Sequence, residues 1–203
     1  MTQNIRVMLP YRNRRGLKVN EQIAVQDNAV SLEFCNAVVD MMGKGSAATV
    51  GTGQTSSTIR RSNVTFLHYM MDNWAVFSPV IDLVNSVNNQ YFGFTLDGPE
   101  SMQITKYDSV NQGHYQPHKD SGDAHVDPSG KQRKLSLVIQ LSSPESYKGG
   151  DLVFPDSPNY SPDLVKAQGT AIVFPSYLLH GVTPVTEGVR HSLVAWFLGP
   201  PFK

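Results

Sequence analysis

Residues 169–197 read GTAIVFPSYLLHGVTPVTEGVRHSLVAWF. Two runs rich in β-branched and aromatic residues, Thr170–Phe174 and His191–Phe197, bracket a Gly-, Pro- and Thr-containing middle, which is the composition of two strands and their connection. Upstream the same texture recurs in Tyr91–Leu96, Met102–Tyr107, Leu135–Leu141 and Asp151–Phe154, each bounded by Gly, Pro, Asp or Ser. Helical patterns precede these strands instead of alternating with them, so a doubly wound parallel sheet is disfavoured. The expected fold is α+β and mainly β: a small antiparallel barrel or sandwich with helices packed on one face.

The first helix is expected to start from an N-cap at Asp27, to present Val30, Phe34, Val38 and Met42 on one face, and to stop at Gly43. A second places Trp74, Phe77, Ile81, Val84 and Val87 together, with Pro79 as a kink or a revised start. Between them, residues 43–57 are rich in Gly, Ser and Thr, which reads either as a lid or as a plain connection.

Composition narrows the function classes. The chain has 203 residues with no break in composition, so one domain spanning 1–203 is expected, with 1–100 as helical support and 101–203 as the β-core. Lys plus Arg and Asp plus Glu each number 17, so no net charge draws the chain to nucleic acid or an anionic membrane. The one cysteine, Cys35, excludes an intrachain disulfide and a multi-cysteine metal site, and its apolar neighbours read as a buried packing thiol in a reducing, cytoplasmic setting. Met1–Asn20 is basic and lacks the apolar stretch of a signal peptide, and no segment reaches the length of a membrane span. A Gly-x-Ser-x-Gly elbow and a phosphate-binding glycine loop are missing too.

Histidine and aspartate carry the chemical signal. His118 and Asp120 are two apart, so an extended strand turns both to one face, where they could meet one cation. A competing pair, His125-Val126-Asp127, runs straight into the turn composition Pro128-Ser129-Gly130, which favours the first pair as strand-borne. A third donor could come from His180. Two histidines and one carboxylate on one side of a metal leave the other positions open, as in non-haem iron(II) oxygenases, although the same set suits zinc with one open position. Arg190 and Ser192 follow on a strand ending in Val194-Ala195-Trp196-Phe197. A guanidinium on an apolar strand needs an anionic partner, because burying it unpaired is expensive. A dicarboxylate would supply one. His68, His114 and His191 read as structural or exposed.

The order His118-x-Asp120, His180, Arg190-x-Ser192 resembles the 2-oxoglutarate and Fe(II)-dependent dioxygenases. Tyr107, residues 115–120, 133–141, 149–154 and 169–196 are similar to the prolyl 4-hydroxylase branch, in its bacterial and phage types, and Arg60–Phe66 resembles a strand beside that branch's substrate groove. The resemblance implies a double-stranded β-helix of jelly-roll or cupin type with flanking N-terminal helices. It implies Fe(II) on His118, Asp120 and His180, with 2-oxoglutarate chelating the iron and pairing its far carboxylate with Arg190. Tyr107 and Ser192 are implied as further cosubstrate contacts, Leu152, Val182 and Trp196 as apolar walls, and Arg60, Arg61 and Tyr115 as substrate contacts. Where some relatives offer a tyrosine to the far carboxylate, this chain has Gln140, whose amide can donate instead. The implied reaction consumes O2, decarboxylates 2-oxoglutarate to succinate and CO2, and converts a peptidyl proline to 4-hydroxyproline, with ascorbate as reductant. A proline-containing protein or peptide is the implied partner, and a monomer or weak dimer the implied assembly. The same chemistry on a free amino acid, a zinc hydrolase and a non-catalytic ligand-binding barrel are the competing readings.

Overall fold

The computed structural model of the chain describes residues 5–8, 23–43, 46–48, 57–122 and 129–202. In the first half, these form β1 (Ile5–Met8), β2 (Ile23–Gln26), α1 (Leu32–Asp40), β3 (Ser46–Ala47), β4 (Arg60–Arg61), β5 (Asn63–Leu67), α2 (Trp74–Val87) and β6 (Gly98–Pro99). The second half forms β7 (Met102–Asp108), β8 (His114–His118), β9 (Gln132–Gln140), β10 (Tyr147–Gly149), β11 (Leu152–Val153), β12 (Ala171–Pro175), β13 (His180–Val182) and β14 (Val185–Gly199). The larger sheet runs β1-β2-β12-β9-β14-β7-β5-β3, with β6 and β10 also paired to β14, and the smaller runs β11-β13-β8-β4. Every pairing among the described residues is antiparallel, and the two sheets form a double-stranded β-helix and not a closed barrel.

Alternation along the central strands decides what each face does. Leu135, Leu137 and Ile139 of β9, Leu193, Ala195 and Phe197 of β14, and Met102 and Ile104 of β7 pack with Cys35 and Val38 of α1 and with Phe77, Val80 and Val84 of α2. Each fully buried aliphatic or aromatic side chain in this layer contributes roughly 1.5–3 kcal/mol. The intervening residues turn the other way. Ile23, Val25, Val138, Ile172 and Phe174 of the large sheet meet Leu152, Phe154, Leu178 and Val182 from the small-sheet side, forming a second apolar cluster. Gln103, Arg190, Ser192, Val194 and Trp196 share that inward face and line a cavity between the sheets.

Several expectations are corrected. α1 is capped by Ser31, whose Oγ accepts from the Phe34 N–H at 3.1 Å, and not by Asp27, which lies in a turn and pairs with Arg6 at 2.6 Å. The helix ends at Asp40, with Gly43 beyond it in the left-handed region. α2 buries Val76, Phe77, Val80, Leu83, Val84 and Val87, leaving Trp74 and Ile81 at the margin, and holds Pro79 inside instead of starting there. Tyr91–Leu96 is no strand. α2 runs into a π-helical turn, Asn88–Phe92, and the Asn88 side chain bonds both the N–H and the C=O of Phe94 at 3.0 and 2.8 Å, taking the place of a ladder partner. Its apolar residues serve packing, since Tyr91, Phe92, Phe94 and Leu96 rest on the helix-side core. Cys35 is free and buried, as expected. Residues 44–45 and 49–56, most of the 43–57 stretch read as a lid, and the second His-x-Asp pair lie outside the described residues. No described helix is long and apolar enough to cross a membrane.

Candidate active site

A local irregularity in the small sheet builds the site. From His180 to Val182, β13 advances two residues, while the facing β8 advances three between His118 and Tyr115. The extra residue makes a β-bulge at Gln116-Pro117, where Pro117 has no N–H to give to a ladder. Tyr115 and His118 would leave a regular strand on opposite faces. With the bulge they share one, and their rings stack at 3.6 Å between centroids, 20° from parallel. Gly181 faces this bulge, and a Cβ there would lie 2.9 Å from Tyr115 O and 3.1 Å from Pro117 N. Gly181→Ala is therefore expected to lower the unfolding free energy by about 1–3 kcal/mol, read from chemical denaturation.

β13 and β8 then set His180 opposite His118. Asp120 lies just beyond the end of β8, its N–H donating to Ser176 O at 2.9 Å. One ligand-type atom from each of His118, Asp120 and His180 falls within 4.8 Å of the others. His118 Nε2 is 3.5 Å from Asp120 Oδ1 and His180 Nε2 is 3.4 Å from Oδ2, separations that suit atoms converging on a common point. His118 Nδ1 lies 2.9 Å from Gln116 O and His180 Nδ1 2.9 Å from Leu178 O. Each carbonyl calls for the proton on Nδ1, which leaves the Nε2 lone pairs facing Asp120. Ser136 Oγ donates to Asp120 Oδ2 at 2.7 Å and lies 3.0 Å from Ser176 Oγ.

Electrostatics suit the same end. Burial by itself would raise the Asp120 carboxyl, but the neighbouring His180 and His118 and the Ser136 hydrogen bond outweigh it and hold the group well below the usual carboxylate range. Burial lowers the His180 imidazole, against the pull of Asp120, which favours the neutral ring a metal requires.

At the other end of the cavity stands Arg190. It is only 1% exposed, among the largest fully buried side chains. Its Nη2 and Nε donate to Gln140 Oε1 at 2.9 and 3.2 Å, and Nη1 has no partner among the described residues. The guanidinium carbon sits 5.5 Å from the Tyr107 ring centroid. Gly150, at φ +61°, makes room for it, since a Cβ there would come within 3.1 Å of Arg190 Cδ and 2.8 Å of Val185 Cγ2. A buried cation with one unsatisfied donor is a receptor for an anion.

A cavity of about 260 Å³ joins the two ends, lined also by Tyr107, Tyr115, Leu152, Val182, Ser192 and Trp196. That is below the roughly 300–1,000 Å³ of pockets for drug-sized ligands and suits a small metabolite. Gln140 is not in its lining and acts on it through Arg190. Arg60 lines the cavity, with Nε donating to Ser62 Oγ at 2.8 Å. Arg61 does not, and donates instead to the carbonyls of Ser57 and Asn111 at 2.7 and 3.1 Å. Arg133, Gln103, Phe66, Val138 and Val194 join the walls without having been singled out in the sequence. Period-two alternation from Arg190 and Gln140 points to Val194 and Val138, whereas Arg133, which lies over Trp196 at 4.0 Å and pairs with Glu100 at 2.5 Å, carries no such signal. His114 is buried and structural, bonded to Gln112 O and Thr58 O.

Residues 102–198 match the sequence profile of the 2OG-Fe(II) oxygenase superfamily. That matched stretch holds His118, Asp120, His180 and Arg190. The chain shares its fold with solved prolyl hydroxylases. It is 33% identical over 118 residues to the PKHD-type hydroxylase YbiX of Escherichia coli, a match covering 57% of this chain and 52% of that one. Matches to the curated relatives span between 27% and 52% of their lengths. The fold is shared with the viral collagen prolyl hydroxylase of Paramecium Bursaria Chlorella virus-1, solved as its 2OG complex, at a TM-score of 0.66 and 21% identity over 87% of this chain and 96% of that one. A prolyl hydroxylase from Trichoplax adhaerens, solved with a hypoxia inducible factor peptide fragment, aligns at a TM-score of 0.67 and 13% identity over 86% of this chain and 82% of that one.

Proposed function

We propose that the chain is an Fe(II)- and 2-oxoglutarate-dependent hydroxylase that converts a peptidyl proline to 4-hydroxyproline while 2-oxoglutarate is decarboxylated to succinate and CO2. The observation that carries this reading is Arg190, a buried guanidinium with a free Nη1, at one end of a cavity whose other end holds two imidazoles and a carboxylate. A zinc hydrolase has no use for that cation. In this reading His118, Asp120 and His180 hold the iron. Arg190, positioned by Gln140 and helped by Tyr107 and Ser192, holds the far carboxylate, while Leu152, Val182 and Trp196 enclose the cosubstrate. When bound, iron and 2-oxoglutarate supply the power to hydroxylate a C–H bond with O2, and ascorbate keeps the iron ferrous. The chain's own residues orient the bound groups, hold the histidine protons on Nδ1 and keep water from the reacting centre.

A polypeptide substrate is favoured over a small molecule by the surface at the mouth. Phe66 lines the cavity yet is 49% exposed, and the exposed apolar residues Tyr69, Met70, Met71 and Trp74 follow it in the chain. Such surface is typical of sites that receive another chain. Arg60 and Tyr115 border the same mouth. A protein partner is also in keeping with the Trichoplax relative, itself solved with a peptide. We place residues 1–203 in one domain, acting as a monomer or weak dimer in a reducing cytoplasm.

The deciding experiment incubates the protein with proline-containing cellular peptides and searches by mass spectrometry for the gain of one oxygen atom. A product that needs both Fe(II) and 2-oxoglutarate supports the reading. Oxygen gain on free amino acids alone would move the substrate to a small molecule, and succinate formation with no peptide product would remove the proline. Ser136→Ala, which strips a hydrogen bond from Asp120, is expected to weaken Fe(II) binding about 10–100-fold, measured anaerobically by equilibrium dialysis.

A further inference from the structure

We infer that Tyr115 and Arg60 form a clamp that positions the metal-binding ring of His118, an inference that rests on the metal site proposed above. Of the three candidate ligands, His118 is the exposed one, its side chain 20% accessible against 7% for His180 and 8% for Asp120. Among the described residues, Nδ1 of His118 bonds Gln116 O, which fixes where the ring points but does not set the tilt of its face. The face of the ring is held by Tyr115, stacked at 3.6 Å and 20°. Tyr115 is held in turn from its own side. Arg60 is its cross-strand partner on β4, and the Arg60 guanidinium carbon lies 4.5 Å from the Tyr115 ring centroid. Ser62 Oγ accepts from Arg60 Nε and fixes the guanidinium.

Arg60, Tyr115 and His118 thus form a continuous pile whose register is set by the bulge at Gln116-Pro117 and by Gly181 facing it. Aromatic pairs stabilise by the equivalent of roughly 2–10-fold in an equilibrium constant. In the pile that preference selects the His118 orientation in which Nε2 faces Asp120. The flat face of Tyr115 is what the metal site uses, and its hydroxyl stays available to substrate.

The test measures Fe(II) affinity anaerobically, without 2-oxoglutarate, in wild type, Tyr115→Phe, Tyr115→Leu and Arg60→Ala. Thermal melting of each metal-free protein confirms that it is folded. Tyr115→Phe keeps the stack and is expected to bind Fe(II) within about twofold of wild type, and Tyr115→Leu, apolar but with no ring, about 3–10-fold more weakly. Arg60→Ala is expected to fall between them. The charge-transfer absorption of the iron and 2-oxoglutarate complex should broaden in the Leu variant and not in the Phe variant. Equal Fe(II) affinity in the folded Leu variant and wild type would overturn the clamp while leaving the metal site standing. Failure of wild type to bind Fe(II) would overturn the metal site, and the clamp with it.

Discussion

Asp120→Ala is expected to abolish Fe(II) binding and, with it, all 2-oxoglutarate turnover. Asp120 is the one carboxylate of the described cluster, 5% exposed, and both of its oxygens face histidine nitrogens. Its environment keeps it ionised, so a divalent cation meets a full negative charge there. Alanine leaves two neutral imidazoles and the hydroxyl of Ser136, a set with no anion to offset the charge of the metal. The loss should exceed the roughly 10–100-fold that removal of a supporting hydrogen bond produces. Anaerobic calorimetry reads it directly, with Asp127→Ala, from the second His-x-Asp pair, as the control expected to bind normally. Retained binding in Asp120→Ala with loss in Asp127→Ala would transfer the site to the second pair.

Arg190→Met should separate cosubstrate binding from folding. Breaking a buried charge pair lowers affinity by about 10²–10³-fold, and that is the fall expected for 2-oxoglutarate. Fe(II) binding should be unaffected, because Arg190 makes no contact with the three candidate ligands in the hydrogen bonds or ion pairs of the described residues. The ligand-free protein should lose no more than about 1–3 kcal/mol of stability, the cost of leaving the buried Gln140 Oε1 without its donors. In that state the guanidinium is buried with an unsatisfied Nη1, and an unbranched apolar side chain of similar length removes an uncompensated desolvation penalty. Arg190→Lys keeps the charge but loses the fork that Gln140 holds, so it should recover only part of the affinity. Strong destabilisation of the ligand-free Met variant with normal 2-oxoglutarate binding would make Arg190 a structural residue.

Alternation made much of this site legible before any fold was known. His118 and Asp120 at a spacing of two, and Arg190, Ser192 and Trp196 at the same period, announce shared faces because the side-chain period of a strand depends on the local backbone alone. The extended surroundings of Tyr91–Leu96 were misleading for the complementary reason. Its apolar residues do enter the core, but from an irregular segment whose backbone is satisfied by Asn88. Hydrophobicity reports burial, and it cannot by itself say which hydrogen bonds accompany it.

By itself, then, the sequence determined a mainly antiparallel β protein with helices on one side, a candidate metal cluster of His118, Asp120 and His180, and a cation on an inward strand face awaiting an anion. These depend on residue type and near spacing. Only the tertiary structure decided that Gln140 serves Arg190 and does not line the cavity, that Arg61 is spent on backbone carbonyls while Arg60 lies over Tyr115, and that Arg133 is a wall of the site. The bulge that turns Tyr115 onto the face of His118 also belongs here. Each of these outcomes rests on register between strands distant in the chain, where one residue more or less reverses a face, and register is set by the packing of whole sheets.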